Sequence, residues 1–298
     1  MANSYLNAGA TSLAAANWSD TIGFAANATL FIQTGTQTIT GGLAPSIATG
    51  INNLDILPGF SGNIGGAAGS LAVETDSASY APATQIPRIR YNASGGTFYY
   101  TPQGAGAAGD VCDFFQINGS GSAFLTGTGT VKRVECQAGR LYVSPTIGSV
   151  ATYRWVLAGG TSTIDGISGS TKIHAITVAG GQHLLKKGIQ GSTMASTTFV
   201  EGLNVCNGSL VIDCYGETIS DLRIYGGYVT VVNCGTIAVC SGYNGTLDFS
   251  KLQRPVTLTL LEDAPGLTVI PSKLLTITAY SAVTNGRQPI GTGANGLT

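Results

Sequence analysis

Between residues 96 and 266, glycines recur at near-constant separation, each closing one strand-like run just before the next begins. The marks are Gly96, Gly119, Gly139, Gly160, Gly181, Gly208, Gly227, Gly245 and Gly266. Successive intervals are 23, 20, 21, 21, 27, 19, 18 and 21 residues, a period of about 21. Between marks the chain alternates apolar and polar residues over a few positions, breaks, and alternates again, as in RLYVSPTIGSVATYRWVLAGG and SLVIDCYGETISDLRIYGG. Alternation sends every second side chain inward. One such unit cannot bury its apolar face alone, so a fixed repeat of this length calls for stacked coils. The spacing predicts an all-β fold, a parallel β-helix (solenoid) over residues 67–284. A β-sandwich or barrel is the alternative, because regular short strands suit those folds too. It is disfavoured because Asn-Gly-type hairpin turns fall only once per two or three strand runs.

The longest step, from Gly181 to Gly208, holds an extra segment, STMASTTFVEG, read as a loop or short helix bulging from a corner. Residues 1–66 are strand-like but less regular, and are expected to form an N-terminal β cap or separate module over an otherwise open solenoid end. Residues 67–87 read as a connector into the first coils. Residues 285–298 read as an extended C-terminal arm.

Charged residues make up 10% of the chain while hydrophobic residues make up 43%, so the composition is not that of a disordered protein. The net charge of −1 and the lack of a Lys/Arg cluster give no electrostatic case for a nucleic-acid partner. No apolar run reaches the ~20 residues of a membrane span, and no secretory leader is evident. The first basic residue is Arg88, and residues 21–54 carry no charge at all. A charge-free stretch suits either a permanent interface or buried strands.

The six cysteines, Cys112, Cys136, Cys206, Cys214, Cys234 and Cys240, are expected to be buried, reduced thiols acting as small hydrophobes. His174 and His183 form no ligand motif, and no cofactor or metal site is expected. No nucleophile elbow, zinc-protease or phosphate-loop pattern occurs. If the protein cleaved glycans it would need paired carboxylates, for which Asp213, Glu217 and Asp221 are the candidates and Asp165 and Asp248 outliers. Solvated turn carboxylates are the simpler reading. If it bound glycans, Phe98, Tyr99 and Tyr100, or Tyr225, Tyr228 and Tyr243, could present rings, although half of each set should face the core. The N-x-S/T sequences at Asn17, Asn27, Asn92, Asn118, Asn207 and Asn244 are read as turn chemistry.

The segment from Asn17 to Phe24 (NWSDTIGF), followed by ATLFIQTG and GINNLDILPGFSGNIG, resembles the start of phage-encoded virion structural proteins. The later coils resemble right-handed β-helix modules of tailed-phage virions, including head decoration (cement) proteins and tail proteins. The resemblance implies a virion location on the capsid surface, the major capsid protein as partner, a homotrimer, and structural work rather than catalysis. The alternative it leaves open is a tail-associated protein that binds or degrades host surface glycans. A bacterial surface adhesin is a weaker option.

Overall fold

The computed structural model describes residues 3–25, 27–45, 50–75, 86–103, 111–144, 147, 154–165, 175–186 and 202–282. It divides into two compact units, Met1–Val150 and Ala151–Thr298. Both are built of parallel strands wound into β-solenoid coils, with one short 3-10 turn at Ala15–Asn17.

In the first unit the strands are β1 (Asn3–Tyr5), β2 (Thr29–Gly35), β3 (Thr38–Ile39), β4 (Asn53–Phe60), β5 (Asn63–Ile64) and β6 (Leu71–Val73). They continue with β7 (Arg88–Tyr91), β8 (Thr97–Pro102), β9 (Val111–Ile117), β10 (Ser122–Leu125), β11 (Thr130–Cys136) and β12 (Arg140–Val143). Pairing skips along the chain, as winding requires. β1 lies parallel to β2, β2 to β4, β4 to β7 and β7 to β9. On another face, β8 lies parallel to β10 and β10 to β12. Residues 3–66 therefore carry parallel coils of their own, and among the described residues the ladder already includes Asn3.

The segment between β1 and β2 folds over this first coil. Leu13, Trp18 and Phe24 are buried there. The Trp18 indole N–H donates to the Leu13 carbonyl at 3.0 Å, and the Trp18 and Phe24 rings meet edge to face at 5.6 Å. Farther along, Tyr91, Phe98, Tyr100 and Phe115 form an aromatic core with centroids 5.5–6.2 Å apart. The outward column Asp55–Arg90 is closed by a charged pair, the guanidinium donating to both carboxylate oxygens at 3.0 and 2.9 Å.

The second unit contains β13 (Trp155–Leu157), β14 (Thr161–Ile164), β15 (Ile176–Val178), β16 (Gln182–Leu185), β17 (Leu203–Val205), β18 (Ser209–Ile224), β19 (Tyr228–Asp248), β20 (Val256–Ile270) and β21 (Leu275–Ala282). Trp155 faces Ile176, Leu157 faces Val178 and Thr161 faces Gln182, each a step of 21 residues. From β18 onward one coil is a nearly continuous strand with bulges at its corners. Inward residues form dry columns, such as Ile176–Leu203–Leu222–Cys240 and Leu185–Ile212–Val231. Each fully buried aliphatic side chain contributes roughly 1.5–3 kcal/mol by leaving water.

Seven of the nine glycine marks, at 96, 139, 160, 181, 208, 227 and 245, have φ between 64° and 98°. They also stack. A Cβ on Gly181 would sit 2.5 Å from the Gly160 carbonyl oxygen, and one on Gly227 would sit 2.6 Å from that of Gly208. The period is thus a glycine column that lets corners of successive coils touch backbone to backbone.

The other two marks need correction. Ser122 pairs with Thr97 and Arg140, so Gly121, not Gly119, is the equivalent of Gly96 and Gly139. Gly266 pairs with Asn244, and the column position above Gly245 is Leu267. The insertion at 192–202 falls, except for Gly202, outside the described residues, as does the arm at 285–298.

Candidate functional site

The three candidate acids are placed differently. Asp213 accepts a hydrogen bond from Asn233 on the next coil at 2.7 Å. Glu217 follows the exposed corner at Tyr215 and Gly216 and is half-buried. Asp221 lies beyond that corner, buried, with one carboxylate oxygen 3.0 Å from the Arg223 Nε. Burial pushes the Asp221 carboxyl above its ordinary range, although the Arg223 charge opposes this. Asp165 is half-buried just after β14. Asp248 accepts from the Tyr228 hydroxyl at 2.6 Å and from the Ser250 N–H at 2.7 Å. Burial works against its charge, but these hydrogen bonds outweigh it and hold the carboxyl below its ordinary range. The solvated-turn reading fails for Asp221 and Asp248, because both are tucked against neighbouring coils.

Among the described residues, no group of three or more His, Cys, Asp or Glu side chains could hold a metal ion. No helix among them is long and apolar enough to cross a membrane. His174 lies outside the described residues.

His183 points inward between Ser162 and Leu210. Its Nε2 meets the Gly180 carbonyl, which can only accept, so Nε2 carries the proton and Nδ1 accepts from the Ser162 hydroxyl at 2.9 Å. Burial lowers its pKa, and the Gly180 hydrogen bond only partly compensates. A histidine held neutral in the fold binds fewer protons than in the unfolded chain, so its contribution is present above about 6.5 and is lost as pH falls through the lower folded value. Urea midpoints for wild type and His183→Leu are expected to converge as pH drops through this window, because only the wild type then loses stability at this position. Parallel curves would contradict it.

Five cysteines are buried, and none of the six is in a disulfide, as expected. Burial pushes Cys112 and Cys136 up to about 12 and Cys234 up to about 11, with Cys214 and Cys240 raised further. Cys206 departs from the expectation and is exposed. It comes one residue after β17, where the chain turns outward. In the native protein one thiol per chain is expected to react with a disulfide reagent, and six after unfolding. Rapid reaction of several native thiols would contradict this burial.

The aromatics divide as alternation requires. Phe98 and Tyr100 are core, while Tyr99 points out and stacks on Phe124 at 4.4 Å, with Phe124 tilted against Tyr142 at 5.9 Å. In the second unit, Tyr225 and Tyr243 are about half-exposed and stack at 5.0 Å with 1° between ring planes. Ile224 pairs with Gly242 and Val205 with Ile224, so Cys206, Tyr225 and Tyr243 follow one another along a single corner. Exposed Asn207 and Asn244 follow that corner in sequence, and exposed Tyr228 lies three residues past Tyr225. The sequence reading missed Tyr215, which is 58% exposed under the Arg254 guanidinium at 4.2 Å. Its only sequence signal is its place just before Gly216, which breaks the alternation.

The chemistry this corner offers is that of a binding surface: ring faces, amides and one thiol. In comparisons with protein-family models, curated proteins and solved structures, the chain matches none.

Proposed function

We propose that this chain is a structural protein of a tailed-phage virion that decorates the head and bridges capsid subunits. The observation that carries the reading is how the charge-free segment is divided. Leu30, Ile32 and Ile39 go to the core, while Thr29, Phe31, Gln33, Thr34, Thr36, Thr38 and Thr40 face outward, half-buried or exposed. The outer surface that residues 21–54 themselves contribute is therefore polar enough for water yet free of charge, the composition of an interface core. A protein bound only to the assembled shell stabilises that shell by linkage. Resemblance to phage β-helix proteins supports the same reading, with the major capsid protein as partner and a homotrimer as the assembly. Electron microscopy of purified virions is the test. Density for this chain on the head lattice is expected, and density confined to the tail tip would overturn the proposal.

A second reading is favoured by the stacked, exposed Tyr225 and Tyr243: a tail-associated protein that binds host surface glycan. Purified protein would then bind host polysaccharide, and Tyr225→Ala with Tyr243→Ala would abolish binding. Absence of binding by the wild type would dismiss it.

A further inference from the structure

Asn-Gly pairs occur at residues 118–119, 207–208 and 244–245, and two more, at 285–286 and 295–296, lie outside the described residues. The three described pairs are not equivalent. In a wound coil most backbone amides are committed to carbonyls of the neighbouring coil. Gly119 follows this rule: its N–H donates to the Tyr91 carbonyl at 3.3 Å, and the side-chain oxygen of Asn118 is buried without a partner. Gly208 and Gly245 do not. The Gly208 N–H donates to the side-chain oxygen of its own neighbour, Asn207, at 2.8 Å. The Gly245 N–H does the same to Asn244 at 2.9 Å. Asn207 and Asn244 are exposed, and both glycines have positive φ, 79° and 98°.

The repeat has thus built the same arrangement twice. Each glycine nitrogen is hydrogen-bonded to the side-chain oxygen of the preceding asparagine, and that oxygen is bonded to the carbonyl carbon the nitrogen would attack. The glycine carries no side chain to block approach, and water has access. Reacting atoms held near van der Waals contact, about 3–3.5 Å, form a near-attack arrangement.

We infer that Asn207–Gly208 and Asn244–Gly245 are sites of spontaneous succinimide formation and deamidation in the folded protein, and that Asn118–Gly119 is protected. The Gly N–H loses its proton to water or hydroxide, and its nitrogen bonds to the Asn Cγ. The Cγ–Nδ2 bond breaks and the nitrogen leaves as ammonia after taking up a proton. Water then opens the ring at either carbonyl, giving aspartate or isoaspartate. The net change is one water in and one ammonia out, with no oxidant or cofactor.

Each conversion adds one negative charge, so the pair takes the net charge from −1 to −3. Both charges appear beside the stacked Tyr225 and Tyr243. The isoaspartate form also lengthens the main chain by one carbon next to the glycine column, where Gly227 is stacked on Gly208.

The test is timed incubation of the full chain in neutral buffer and in mild alkali, followed by peptide mapping by mass spectrometry and isoaspartate detection. Asn207 and Asn244 are expected to gain one mass unit about tenfold or more faster than Asn118, and faster in alkali. In denaturant the three rates should converge, because the fold alone separates them. Equal rates at the three sites in the folded protein would overturn the inference. So would conversion of Asn207 and Asn244 only after unfolding.

Discussion

Gly208→Ala is expected to lower the unfolding free energy by ~3 kcal/mol or more, while Gly216→Ala costs only ~1 kcal/mol. The two glycines have almost the same backbone, φ 79° and 77°, so the left-handed conformation penalises both alike. They differ in what a methyl group would meet. At Gly208 it would lie 2.6 Å from the Gly180 carbonyl carbon and 2.7 Å from the Gly181 carbonyl oxygen, all backbone of the coil beneath. At Gly216 nothing lies within 4 Å. Backbone cannot turn aside as a side chain can, so relief requires coils to separate and their ladder hydrogen bonds to lengthen. Equilibrium unfolding in urea checks both variants, and equal losses would show that the corners are not stacked.

A second large effect is expected at Phe98. Phe98→Ala should cost ~4 kcal/mol, against ~1 kcal/mol for Tyr99→Ala one position away. Phe98 is fully buried against Tyr91, Tyr100 and Phe115, so its removal leaves a cavity among rings that cannot all collapse into it. Tyr99 points out and loses chiefly its stack on Phe124. Urea unfolding of the two variants measures the inward and outward alternation directly. A larger loss at Tyr99 would mean that the strand is turned over.

These two pairs also mark how far the sequence could be read. The coil period was legible because the glycine column imposes a residue type, and only glycine both adopts positive φ and permits carbonyl contact from the coil below. Where the column relaxes, the reading slipped. Gly119 and Gly266 are punctuation beside the column, and Leu267 occupies the position where another glycine was expected. The parallel coils of residues 3–66 were harder to see because their steps are longer, such as Asn3 to Thr29 and Thr38 to Asn63. The buried Trp18 within NWSDTIGF gave no sign in the sequence that it would close the first coil.

Side-chain partnerships were less legible than strand direction. Alternation correctly divided Phe98, Tyr99 and Tyr100, because it depends only on the pleat. The pairing of Tyr225 with Tyr243, of Asp213 with Asn233 and of Tyr228 with Asp248 depends on register across coils, and a single bulge changes that register. Cys206 looked like its buried counterparts because its neighbours are Asn204 and Val205, yet the chain has already left the strand there.

A side-chain-resolution experimental map of residues 202–282 tests the wound architecture most directly. It should place Leu210 against Val229, Ile212 against Val231 and Leu222 against Cys240, with every neighbouring strand running the same way. Antiparallel hairpins joining these segments would contradict it.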